Sequence, residues 1–206
     1  MGAGAGDFGA DVSRETVARL ETYAALLRKW NPAINLVSKS TLDDLWTRHF
    51  ADSAQILSLS PVQRGHWVDM GSGGGFPGAV VAILAHELAP GLRITCIESD
   101  QRKATFLRTV ARETSVDFEV ISQRIEEVPP QNADIVSARA LAPLPLLLEF
   151  AERHLKSGGT AVFHKGVKAV DEMAKALETW RFTSETFPSG TDPAASILKL
   201  GEIARV

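Results

Sequence analysis

One segment constrains the fold of this chain more than any other: Trp67-Val68-Asp69-Met70-Gly71-Ser72-Gly73-Gly74-Gly75-Phe76-Pro77-Gly78. It reads as an apolar strand that ends in a carboxylate and runs straight into a glycine-rich turn. Glycine accepts positive φ and lets a ligand approach the main chain, and Pro77 suits the first turn of a following helix, where no N–H is needed. Turn, helix start and ligand space are specified together, as in a nucleotide-type cofactor site.

The spacing leaves the cofactor open. Gly73, Gly75 and Gly78 satisfy G-x-G-x-x-G, and Glu98 follows Gly78 by 20 residues, a ribose-binding distance in dinucleotide folds. Asp69 argues the other way. At the carboxyl end of its strand it would face the doubly anionic pyrophosphate of NAD at the helix N-terminus. S-adenosylmethionine (AdoMet) has no phosphate, and its sulfonium and ammonium would be attracted by a carboxylate, so Asp69 favours AdoMet. The next run, Leu92 to Glu98, is β-branched, ends in an acid and precedes the helical pattern of Lys103, Phe106, Leu107 and Val110. Glu98 can accept from two ribose hydroxyls of either cofactor.

Around this unit the period alternates between strand and helix. Strands are predicted near His66 to Met70, Leu92 to Glu98, Phe118 to Ser122, Asp134 to Ala138 and Thr160 to His164, followed by a helix from about Lys168 to Trp180. Two further runs, Phe182 to Phe187 and Ala195 to Ile203, flank a Pro-Ser-Gly turn and predict an antiparallel hairpin, because a parallel return would need a helix that is not encoded. The fold class is α/β, a doubly wound, mostly parallel seven-stranded sheet of Rossmann-like type. Ahead of it, Val17, Leu20, Tyr23, Ala24, Leu27 and Trp30 form an apolar stripe on a helix capped by Ser13, and a second helix is expected from Thr41 to Ser58. The expected organisation is a Gly- and Ala-rich tail at 1–10, an N-terminal helical cap at 11–60 and a cofactor-binding domain at 61–206.

A chain of 206 residues, 45% hydrophobic and 23% charged, suffices for one such domain with a modest cap. No apolar run approaches the length of a membrane span and no signal peptide is recognisable, so an intracellular, cytoplasmic protein is expected, as a monomer. The lone Cys96 excludes an intrachain disulfide and should be a quiet, buried thiol. The five histidines form no close ligand pair, and no metal is expected. A net charge of −3 speaks against a broadly basic nucleic-acid surface, so any polyanion must be met by a local patch.

Ligands of open α/β sheets lie beyond the carboxyl ends of the strands. Asp69, Glu98, the run Arg124-Ile125-Glu126, Arg139 and Lys165-Gly166 all fall there. Ile125 and Glu126 could serve the face and edge of an adenine, while Arg139 and Lys165 would lie beside the transferable group. In the cap, Asn35 could reach a substrate or hold a turn. His49 and Asp52, one helical turn apart, are close enough to hydrogen-bond, with a structural role for His49 at least as well supported as a catalytic one.

Taken together, Lys29-Trp30-Asn31 with Asn35-Leu36, Arg48-His49 with Asp52-Ser53, the Asp69 to Gly78 turn, Arg124-Ile125-Glu126-Glu127, Arg139-Ala140 and Lys165-Gly166 resemble the RsmG (GidB) methyltransferases over about Leu20 to Gly166. The resemblance implies an AdoMet-dependent enzyme that methylates N7 of a guanine in the 530 loop of bacterial 16S rRNA. Gly71, Phe76, Ile125, Glu126 and Arg139 are then cofactor contacts, joined by Asp69, Gly73 and Glu98 from the reading above. Arg139, Lys165, Asn35 and His49 are the candidates at the reacting groups, and Arg48, Arg102, Lys103 and Arg124 the candidates for phosphates. Guanine N7 carries a free lone pair, so no general base is required. One departure is that relatives often have an Arg before the last strand, where this chain reads Asp192-Pro193-Ala194. The alternatives are an NAD-dependent oxidoreductase, a non-enzymatic RNA-binding module on the same scaffold, and a methyltransferase for another substrate.

Overall fold

In the computed structural model, residues 11–60 and 62–206 are described; the predicted tail lies outside them. Ser13 caps the first helix by accepting from Thr16 N at 3.3 Å, and α1 runs Arg14–Ile34. Its stripe of Leu20, Tyr23, Ala24 and Leu27 is buried, each large side chain contributing about 1.5–3 kcal/mol. The same Ser13 Oγ and Thr16 Oγ1 donate to Glu87, which ties the start of α1 to the third helix.

The second predicted helix is interrupted. After a 3₁₀ turn at Lys39–Thr41 comes a π-helical stretch, Trp46–Ala51, that passes into α2, Asp52–Ser58. π turns inside helices are uncommon and cluster at functional sites; this one carries Arg48 and His49.

Beyond it follow β1 (Arg64–Met70), α3 (Gly78–Leu88), β2 (Gly91–Ile97), α4 (Gln101–Thr114), β3 (Glu119–Ile121), a 3₁₀ turn at Ile125–Glu127, β4 (Ala133–Arg139), α5 (Leu144–His154), β5 (Leu155–Lys165), α6 (Ala169–Ala176), β6 (Trp180–Pro188) and β7 (Ser196–Arg205). The seven strands lie in the order β3-β2-β1-β4-β5-β7-β6. β1 to β5 are mutually parallel, and β7 runs antiparallel to both β5 and β6. The terminal hairpin is thus present, with β7 inside and β6 at the edge. Ile197, Leu198 and Leu200 of β7 are buried, whereas β6 is mostly exposed.

Both faces of the sheet are covered, and the pleat sorts side chains between them. Trp67, Ile94, Cys96 and Ile135 join the core under α1 to α4, while Val68, Met70, Ile97 and Val136 join the core under α5 and α6. Cys96 is buried and reduced, its thiol pushed up by burial and by Asp69. The strand order reverses beside β1, so the turn that follows β1 opens at the switch point, where such sheets bind ligands.

Candidate active site

The glycine turn is held from two sides. Gly71 N and Ser72 N both donate to Ile97 O, at 2.9 and 3.1 Å, and the Tyr23 hydroxyl of α1 donates to Gly74 O. Gly71 has φ of +66° and an added Cβ would meet the Leu141 side chain, so glycine is favoured there. Pro77 stands just ahead of α3.

Asp69 lies elsewhere than the sequence suggested. Its side chain follows Trp67 to the α3 face of the sheet and is wholly buried, with Oδ2 accepting from Gly78 N at 3.1 Å and Oδ1 from Ser137 Oγ at 2.7 Å. Burial pushes its carboxyl up to about 6, against the pull of these hydrogen bonds. Asp69 therefore caps α3 from beneath the turn and is not part of the wall of the ligand cavity. The helix N-terminus that would cradle a pyrophosphate is already occupied by a carboxylate.

That cavity, about 590 Å³, opens above the turn. Gly71, Gly73, Phe76, Glu98, Ile125, Glu126 and Arg139 all line it, so the structure brings together every other predicted cofactor contact. Glu98 is fixed by one N–H on each oxygen, Gly73 N at 2.7 Å and Asp100 N at 2.8 Å, which leaves lone pairs for a diol. The Ile125–Glu127 turn is braced from α5: His154 Nε2 lies 3.0 Å from Ile125 O, and Arg153 donates twice to Val128 O. His154, fully buried at the far end of a helix, carried no signal in the local sequence. Lys103 and Arg124, expected on phosphates, line this same cavity, whereas Arg102 pairs locally with Asp100 on the surface.

A second cavity of about 600 Å³ adjoins the first and shares Arg139 and Ala140 with it. Arg48, His49, Asp52, His164 and Lys165 form much of its wall. The predicted His49–Asp52 hydrogen bond is absent. His49 Nδ1 is 2.7 Å from Arg139 Nη2 and its Nε2 is 2.9 Å from Thr41 Oγ1, because the π turn aims the ring at the sheet. Burial, then Arg139, lowers its pKa to about 3. Asp52 instead accepts from Ser189 Oγ and Thr191 Oγ1 at 2.8 and 2.6 Å, with His164 Nε2 3.4 Å away. Burial raises its pKa, but His164 and the two hydroxyls outweigh that and hold it at about 2.

Lys165 is not free: Nζ lies 2.6 Å from Glu172 Oε2 and 2.9 Å from Ala142 O. Arg48 reaches Asp192 at 3.4 Å, so the segment ahead of the last strand places an acid against the cavity wall. Asn35 is exposed and lines neither cavity; it ends α1 at φ of +49°, while Asn31 Oδ1 holds the turn by accepting from Leu36 N and Val37 N.

Residues 16–192 match the profile of the GidB family, described as rRNA small subunit methyltransferase G. The chain belongs to the GidB family. Among curated GidB relatives, "Ribosomal RNA small subunit methyltransferase G" of Ruegeria sp. (strain TM1040) is 52% identical over the whole of both chains. That of Rhodospirillum centenum is 55% identical over 94% of this chain and 87% of its own. Solved structures show the same fold: M. jannaschii TYW2 in complex with AdoMet (TM-score 0.58, 14% identity, 82% and 78% of the two chains) and a methyltransferase from Pyrococcus furiosus (TM-score 0.59, 14%, 89% and 97%).

This GidB member therefore has the Rossmann-like AdoMet methyltransferase fold, and its first cavity fits AdoMet. Its volume suits a nucleoside-sized ligand, Glu98 is anchored for a diol, and the helix N-terminus is closed to diphosphate. Gly71, Gly73, Phe76, Glu98, Ile125, Glu126 and Arg139 would hold the cofactor. Among the described residues no group of His, Cys, Asp and Glu could hold a metal ion, and no helix is long and apolar enough to cross a membrane.

Proposed function

We propose that this GidB chain methylates N7 of a guanine in the 530 loop of bacterial 16S rRNA, guanine 527, acting in the cytoplasm as a monomer on the small subunit or its RNA. When bound, AdoMet supplies the methyl group in electrophilic form. The second cavity receives the base, and the wall shared with the cofactor cavity, Arg139 and Ala140, marks where the two ligands meet.

The observation that carries this reading is the state of His49. Its Nδ1 lone pair is engaged by Arg139 and its Nε2 by Thr41, so it has no site free to take a proton from a substrate. Guanine N7 needs none removed, since its own lone pair forms the new bond. The work left to the protein is to aim the base in line and exclude water. Arg139 stands at the junction as a donor toward the Hoogsteen edge, and Lys165, paired with Glu172, fixes the wall of the second cavity. Arg48 in the wall of the second cavity, Lys103 and Arg124 where their side chains leave the wall of the first, and the exposed Arg102 would meet phosphates, while Asn35 ends α1 outside both cavities.

The test is to incubate the protein with labelled AdoMet and small-subunit RNA from a strain lacking the modification, then map the labelled nucleotide. Label at N7 of guanine 527, lost in Arg139→Ala without loss of folding, is expected. Label on another base, or full activity of the variant, would refute the assignment.

A further inference from the structure

Arg139 ends β4 at the junction of the two cavities as a half-buried cation with no carboxylate within ion-pair distance among the described residues. It is held otherwise. The guanidinium lies over the Phe76 ring, 4.8 Å from its centroid, with Nη1 3.4 Å from Arg48 O and Nη2 2.7 Å from His49 Nδ1. A guanidinium only donates, so Nδ1 must accept, and the ring hydrogen must sit on Nε2. Nε2 then donates to Thr41 Oγ1, whose hydroxyl donates to Ser38 O at 3.0 Å. Every donor from Arg139 to the Ser38 carbonyl points the same way, and one tautomer of His49 satisfies the whole series.

We propose that His49 is a positioning residue for the transfer step: it fixes the Arg139 guanidinium over Phe76 and acts through that cation alone. The ring is itself located by its own stack on Phe76, 4.8 Å between centroids, and by the π turn. The charged groups around it are Arg139 from β4 and Asp52 and Arg48 from its own helical segment; burial and the two arginines keep the imidazole neutral, which the acceptor role requires. Without Nδ1, a long side chain with several free torsions would lose its best-formed hydrogen bond and leave the place where both cavities meet. The kinetic consequence rests on the methyl-transfer reading; the relay rests on geometry.

The test combines heteronuclear NMR with kinetics on the full chain. In the wild type the His49 imidazole should be the neutral Nε2–H tautomer and show no titration near neutral pH. Thr41→Val should leave that tautomer in place, because Arg139 still donates to Nδ1. His49→Phe keeps the ring on Phe76 but removes the acceptor; it should shift the Arg139 guanidinium signals and lower kcat about ten- to a hundredfold, with a smaller change in KM. His49→Asn, which returns an oxygen near the place of Nδ1, should restore most of both. An imidazolium or Nδ1–H tautomer in the wild type would overturn the proposal, as would an unshifted Arg139 signal and kcat in His49→Phe. If no form of the protein methylates RNA, the function assigned above fails, while the tautomer and the guanidinium signals still decide the relay.

Discussion

Asp69→Asn should erase a pH dependence of folding that the wild-type chain carries. The Asp69 carboxyl is raised by burial from its ordinary 3.8 to about 6. Between these values the folded state holds a proton that the unfolded state has released, so stability is fully present below the unfolded value and falls as pH rises through the folded one. The difference of about 2.2 units, at 1.36 kcal/mol each, amounts to a cost of about 3 kcal/mol at neutral pH. Asparagine keeps an oxygen for Gly78 N and carries no charge at any pH. Near pH 4 the variant and the wild type should match within the change in hydrogen bonding, and by pH 7 the variant should have gained about 3 kcal/mol relative to the wild type. Urea unfolding followed by tryptophan fluorescence across that range measures the difference, in which contributions from other titrating groups cancel. Parallel stability curves for the two proteins would refute the argument, since they would mean that Asp69 is ionised at no cost. Calorimetry on the same variant should show AdoMet affinity changed by well under the roughly tenfold that loss of a direct charge-assisted contact brings.

His49 should act in the opposite sense. Its pKa is lowered from 6.5 to about 3, so the unfolded state takes the proton first and stability is lost as pH falls; acidifying from 6.5 to about 4 should cost about 3 kcal/mol, a slope that His49→Phe flattens in the same unfolding assay. Gly78→Ala puts a methyl 2.6 Å from Asp69 Oδ2 and 2.7 Å from Cys96 Sγ, both buried, and should destabilise by about 1–3 kcal/mol; a variant of wild-type stability would show that α3 can move away freely. His154→Leu removes the donor to Ile125 O, and calorimetry should find AdoMet binding weakened about three- to tenfold; unchanged affinity would show that the Ile125–Glu127 turn holds without its brace.

Much of the architecture was legible because period and punctuation are local properties. The alternation of strand and helix, the hairpin after Pro188 and the glycine turn each depend on residues within a few positions of one another, and the structure shows all three. Residues directly after strands also declared themselves, since a strand end in this fold already implies the ligand side. Glu98, Ile125, Glu126 and Arg139 accordingly meet in one cavity. The helix predicted from Thr41 to Ser58 failed in its first turn, where Thr41 closes a 3₁₀ turn and its hydroxyl serves His49.

Partnerships were another matter. The strand-end position of Asp69 suggests that it faces the ligand, but the pleat directs its side chain under α3, where Ser137 Oγ and Gly78 N donate to it. Helical spacing pairs His49 with Asp52, whereas the π turn together with the approach of β4 gives it Arg139 instead. His154 and Tyr23 support the site from 29 and 51 residues away in the chain.

The amino-acid order by itself determined the layers, the direction of each strand and the place of the cavity above the glycine turn, because these follow from hydrophobic period and from the conformations that glycine and proline permit. Only the tertiary structure decided which charge faces which neighbour, because burial, hydrogen-bond direction and the pKa values that result depend on groups the chain brings together after the sheet has formed.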